Sequence, residues 1–134
     1  MKKEVADSFK PGDHASTFGG NPLASAAGVA ALTAILEEGM LENGRRMGEY
    51  FLTKLAEVKE KFAFVKEVRG KGLILGMELK IEGGPMVTEM MKKKILINCT
   101  MGNVLRFLPP LIVTKEEIDR VVRALEEVFS NCRV

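Results

Sequence analysis

A chain of 134 residues, 46% of them apolar, can build one domain with a real core but not two independent ones. Charged residues make up 28% and nearly cancel, to a formal net charge of +2, and the longest run of one sign is Lys92-Lys93-Lys94. That balance offers no basic face for nucleic acid and no polybasic patch for a membrane surface.

The opening Met1-Lys2-Lys3-Glu4-Val5-Ala6-Asp7 lacks the apolar centre of a signal peptide. No apolar run approaches the roughly 20 residues of a membrane span. Cys99 and Cys132 stand far apart without a CxxC partner. Two free thiols in a reducing cytoplasm are expected, rather than a disulfide or a metal site. His14 is the only histidine, so a His-metal cluster cannot be assembled.

Residues 8–21 read as an irregular loop of small residues, with Pro11-Gly12-Asp13 and Gly19-Gly20-Asn21 as its turns. Pro22 suits the first position of a helix that Asn21 caps. This helix is expected to run to about Glu38 and to stop at Gly39. Its alanines and glycine fit close approach to a neighbouring backbone, as in a buried or subunit-facing helix. They equally fit plain helix propensity.

A second helix is predicted over about 40–61, with Leu41, Gly48, Phe51, Leu55, Val58 and Phe62 on one stripe. The period then changes. Phe64–Val68 leads through Arg69-Gly70-Lys71-Gly72 into Leu73, Leu75, Met77 and Leu79, whose alternation marks a half-buried strand. Lys71, between two glycines, reads as a turn residue. Glu82-Gly83-Gly84 is a turn, and Pro85–Lys94 a short helix whose methionines are core filler. Ile95–Asn98 and Val104–Leu108 are predicted strands joined by a Met101-Gly102-Asn103 turn. Thr114-Lys115-Glu116-Glu117 is a capping box opening a last helix, with Ile118, Val121, Val122, Leu125, Val128 and Phe129 inward. The sum is an α+β layer: a short, largely antiparallel sheet covered by helices.

Two segments have the composition of a site. In Gly12–Pro22, Ser16 and Thr17 stand beside Gly19 and Gly20, and a helix N-terminus follows at once. Hydroxyls, freed backbone N–H groups and a positive helix end suit a phosphate, although such a loop can also be a mere connection. Arg106 lies within an apolar strand, on the face opposite Leu105 and Phe107, just before Pro109-Pro110. Its planar fork matches a carboxylate. A structural salt bridge, or an edge strand facing water, is the plain alternative.

The Ser-Thr-Phe-Gly-Gly-Asn-Pro-Leu-Ala run from Ser16, the Val68-Arg69-Gly70-Lys71-Gly72-Leu73-Ile74-Leu75-Gly76 stretch and Asn103–Leu111 come in one order along the chain. Together they resemble the C-terminal part of class III pyridoxal-phosphate-dependent aminotransferases, most of all those acting on acetylornithine, with ornithine enzymes next. The resemblance implies the C-terminal small domain of a fold-type I transferase over residues 39–134. Residues 1–38 would be a loop and long helix from the edge of the large domain.

It also implies roles for three residues. Thr17 would bind the cofactor phosphate across a dimer, Ser16 would contact the acetylated substrate, and Arg106 would clamp the α-carboxylate of an amino acid or 2-oxoglutarate. The family's Schiff-base lysine belongs before the Thr17 loop, and none of Lys2, Lys3 or Lys10 stands in such a setting. No catalytic residue is therefore expected in this chain. A fragment inactive alone, in cytoplasmic arginine biosynthesis, is the expected role. The alternative is a stand-alone α+β module that holds a small carboxylate.

Overall fold

The computed structural model describes residues 2–132 and divides between Glu38 and Gly39 into two compact units. In the first, a four-residue helix α1 (Lys3–Ala6) precedes an exposed loop and helix α2 (Pro22–Glu37). The α2 cap is the expected one: Ala24 N–H donates to Asn21 Oδ1 at 2.9 Å, and Pro22 opens the first turn. No residue of α2 is buried, and Leu23, Val29, Leu32 and Leu36 are all exposed.

The second unit begins at Gly39, whose φ of +71° ends the preceding segment and admits helix α3 (Met40–Lys61). Strands β1 (Val65–Lys71) and β2 (Ile74–Leu79) form a hairpin, with Gly72 at φ +55° in its two-residue turn. Lys71 is thus the last strand residue rather than part of the turn. Helix α4 (Gly84–Lys92), β3 (Asn98–Thr100), β4 (Val104–Phe107) and helix α5 (Lys115–Ser130) complete the unit. The sheet runs β1-β2-β4-β3, antiparallel throughout.

Alternation decides which face is covered. Leu75, Met77, Leu79, Leu105 and Phe107 are buried in one core with Phe51, Leu55 and Val58 of α3, Met86 and Met90 of α4, and Ile118, Leu125 and Phe129 of α5. Phe51 meets Phe107 edge-on at 5.3 Å. Phe62, Phe64 and Phe129 form a second aromatic cluster, with ring centroids 5.0–5.7 Å apart. The capping box at Thr114 is formed in both directions, and α5 presents the predicted stripe.

Three local expectations are corrected. Ile95–Ile97 is not a strand; the ladder starts at Asn98. Ile95 N–H bonds instead to Met90 O, and Lys94 N–H to Met91 O, which closes α4 with a Schellman motif. Lys94 fills the left-handed position at φ +60°, where glycine is usual. On the opposite side, the residues that would extend the β4 ladder run into Pro109 and Pro110, and a proline has no N–H to pair. Leu41 is 59% exposed, because the inward stripe of α3 starts at Gly44. Leu108 is outside the strand and exposed.

Helix α3 lies unusually close to the hairpin. A Cβ on Gly48 would come within 2.3 Å of the Gly72 carbonyl oxygen, which is backbone and cannot swing away. Gly48→Ala is therefore expected to destabilise the unit by about 1–3 kcal/mol, the usual range for overpacking, as a lower urea midpoint at unchanged slope. Lys94→Gly is expected to act in the opposite sense, raising stability by about 1 kcal/mol through relief of the left-handed strain. Equal or inverted signs for the two variants would contradict this packing.

Candidate functional site

The face of the sheet turned away from the helices carries the polar rows. Register pairs Arg69 with Gly76, Gly76 with Arg106, and Arg106 with Asn98, so these four share one row across all four strands. Arg106 is exposed, while its neighbours Leu105 and Phe107 are buried. It sits on an interior strand, between β2 and β3, so the edge-strand alternative does not apply. Among the described residues it forms no ion pair, so a structural salt bridge does not account for it either.

Arg69, at the other end of the row, is engaged. Its Nη1 donates to Glu78 Oε2 and Glu67 Oε2, both at 2.9 Å. Lys66 Nζ donates to the other oxygen of Glu78 at 2.6 Å, helped by an irregularity between Val65 and Glu67. The Lys66 bond, then that from Arg69, holds the Glu78 carboxyl below the usual carboxylate range. Of the two guanidinium groups in the row, one is matched by carboxylates and one is open. A shallow hollow between them is lined by Arg69, Lys71, Ile74, Gly76, Thr100 and Arg106.

The segment after Arg106 is held from α3. Asn43 Nδ2 donates to Leu111 O at 2.7 Å and Val113 O at 3.1 Å, and Val113 N–H turns back to Pro110 O. Asn43 therefore fixes the exit of β4. Nothing in its sequence setting marks it, because its partners are backbone carbonyls 68 and 70 residues away.

Ser16 and Thr17 belong to the first unit, in one exposed loop, and Arg106 belongs to the second. Inside the loop, Asn21 does double duty: its Oδ1 caps α2 and its Nδ2 donates to Phe18 O at 2.5 Å. Gly19 lies under Ser16, and a Cβ there would stand 2.8 Å from both Ser16 Cβ and Oγ. Gly20 has φ +75°. Hydroxyls and a glycine backbone next to a well-capped, 16-residue helix make a donor set that fits a phosphate.

One helix-covered sheet face with an open guanidinium on the other, in the second unit, and a hydroxyl loop before a capped helix, in the first, are features of more than one class of α+β protein. Comparison with known proteins says which. The model of the aminotransferase class-III family matches residues 1–129. The acetylornithine aminotransferase of Methanocaldococcus jannaschii is 48% identical over 99% of the chain, and that of Caldanaerobacter subterraneus 50% over 99%. An ornithine aminotransferase from Staphylococcus carnosus is 45% identical over 95%.

The crystal structure of acetylornithine aminotransferase from Elizabethkingia anophelis superposes on 96% of the chain with a TM-score of 0.83 at 32% identity. The ornithine aminotransferase of Toxoplasma gondii, solved with partial occupancy of pyridoxal phosphate at its active site, gives 0.81 at 38% identity over 95%. The chain belongs to the class III aminotransferases. It spans about a third of the length of these relatives, at 33% and 34% of the first two. Its α+β fold, with a small antiparallel sheet, is shared with fold-type I aminotransferases, as the motifs had implied.

The carboxylate network gives a pH test. Glu78 has a depressed folded-state pKa, so its contribution to stability is present above the ordinary glutamate value and is lost as pH falls through the folded value. The difference in urea midpoint between the native chain and Glu78→Gln should hold steady near neutrality and shrink below about pH 4.3. A difference that does not change down to full protonation would show that the ion pairs do not stabilise the sheet.

Proposed function

We propose that the chain is the C-terminal part of an aminotransferase that moves an amino group between N-acetylornithine, or a related omega-amino acid, and 2-oxoglutarate. The observation that carries this reading is the 48–50% identity to acetylornithine aminotransferases along 99% of the chain. The open guanidinium of Arg106, on a bare sheet face, supports it chemically. Cytoplasmic arginine biosynthesis is the corresponding setting, and a homodimer the corresponding assembly.

Residues 39–134 are the small domain in this reading, and residues 1–38 the end of the large domain. Arg106 binds the α-carboxylate of the amino acid or of 2-oxoglutarate through its planar fork. Thr17 donates its hydroxyl to the phosphate of pyridoxal phosphate, aided by the N-terminal end of α2, and Ser16 contacts the acetylated substrate. When bound, that cofactor supplies the carbonyl carbon and electron-withdrawing ring that carry the amino group. The lysine that anchors it is assigned to the large domain. This chain therefore holds the anionic ends of the reactants and moves no proton itself.

Two measurements on the chain test this. Transamination assays with N-acetylornithine and 2-oxoglutarate should show no turnover. Borohydride treatment after addition of pyridoxal phosphate should fix it at no particular lysine. A single lysine labelled stoichiometrically, with turnover, would overturn the reading. Calorimetry with 2-oxoglutarate then separates the stand-alone module from the fragment. Tight binding by the native chain that Arg106→Ala abolishes would favour an independent carboxylate-holding module.

A further inference from the structure

Glycines inside strands weaken them, so each has a reason that can be sought in the structure. Four glycines of the second unit have internal ones. Gly72 needs its φ of +55°. At Gly48 a Cβ would strike the Gly72 carbonyl oxygen at 2.3 Å, at Gly70 the Ile74 carbonyl oxygen at 2.5 Å, and at Gly83 the Cys99 sulfur at 2.7 Å.

Gly76 has none of these. Its φ is not positive. A Cβ there would make only an ordinary contact, 3.5 Å from a Val104 methyl, with Arg69 O at 4.0 Å. It lies mid-strand in β2, paired on both sides. The outward residues of β2 are Ile74, Gly76 and Glu78, and the one without a side chain is the one directly opposite Arg106. On its other side stands Arg69, whose guanidinium is already bound to Glu67 and Glu78. The gap therefore opens toward the unmatched cation. A strand glycine that nothing in the surrounding structure requires often marks a place where a ligand or another backbone comes close, and beside an unmatched cation the group that fits is an anion.

We propose that Gly76 is a specificity-determining position: its missing side chain leaves the space beside Arg106 in which the carboxylate and first carbons of the bound acid lie. This rests on the reading of Arg106 as a carboxylate clamp. A methyl at 76 fits the available room, whereas a branched side chain occupies the space the ligand needs and lies across the guanidinium.

The test uses this chain as native protein and as Gly76→Ala, Gly76→Val, Gly76→Leu and Arg106→Lys. The first readout is the rate at which phenylglyoxal modifies Arg106, mapped by mass spectrometry, with exposed Arg46 as internal control. Val and Leu should slow modification at Arg106 several-fold and leave Arg46 unchanged, while Ala should match native. The second readout is the Arg106 Nε–Hε NMR signal during titration with glutarate, assigned by its loss in Arg106→Lys. Native and Ala should shift, and Val and Leu should bind about tenfold more weakly or worse, the loss of a charge-assisted contact.

Urea midpoints confirm folding, and Val, a strand-favouring residue, carries the test if Leu does not fold. An unchanged phenylglyoxal rate at Arg106 in folded Val or Leu overturns the role of Gly76. Slowed modification with a native Arg106 signal that ignores glutarate shows the gap to be real but overturns the carboxylate reading, and the role of Gly76 with it.

Discussion

Helix α3 comes so close to the β1–β2 turn that residue 48 has no room for a side chain, its Cβ position lying 2.3 Å from a backbone oxygen. The contact seats the longest helix on the sheet, and most of the second unit follows from it. Once α3 is down, Leu75, Met77, Leu105 and Phe107 must face the helices, and period-two alternation turns Gly76 and Arg106 the other way. The same helix carries Asn43, whose amide holds the carbonyls of Leu111 and Val113 and so sets the path out of β4. The bare face and the loop beside it are thus built from the covered one.

Charge on this protein is kept off the core: among the described residues no polar or charged residue is buried. Ionic pairing on the bare face is uneven as a result of register rather than burial. Glu78 lies within reach of Lys66 and Arg69, which neutralise it. Arg106, two strands from Arg69, has Gly76 and Asn98 as its row neighbours and neither is acidic. A solvated guanidinium without a partner costs little, but covering it with a carboxylate as water is excluded strengthens the attraction. Such a group holds a carboxylate only weakly in the isolated unit and more tightly when a second surface closes over it. That agrees with a chain spanning a third of the length of its relatives.

The helix ends were legible because each is written in local chemistry. Asn21-Pro22 and Thr114-Lys115-Glu116-Glu117 satisfy the first N–H groups of their helices with side chains a few residues away. The alternation through Leu73–Leu79 likewise marks β2 and its inward face. The end of α4 was not legible, because Lys94 takes a left-handed conformation that glycine normally signals, and Ile95 is spent closing the helix instead of starting a strand. An apolar Ile-Leu-Ile run carries no mark that distinguishes the two.

By itself the sequence determined the helix starts at Pro22 and Lys115, the inward face of β2, the outward direction of Arg106, the pairing of Ser16 and Thr17 in one loop, and the family, since all of these depend on neighbours within a few residues or on motif order. Only the tertiary structure decided that Arg106 sits on an interior strand without an acidic partner among the described residues, that Arg69 is already matched, and that Gly76 lies open between them. Those facts depend on which strands lie side by side and in what register. That register is set by burying the opposite face against α3, α4 and α5, across sequence separations that no local pattern records.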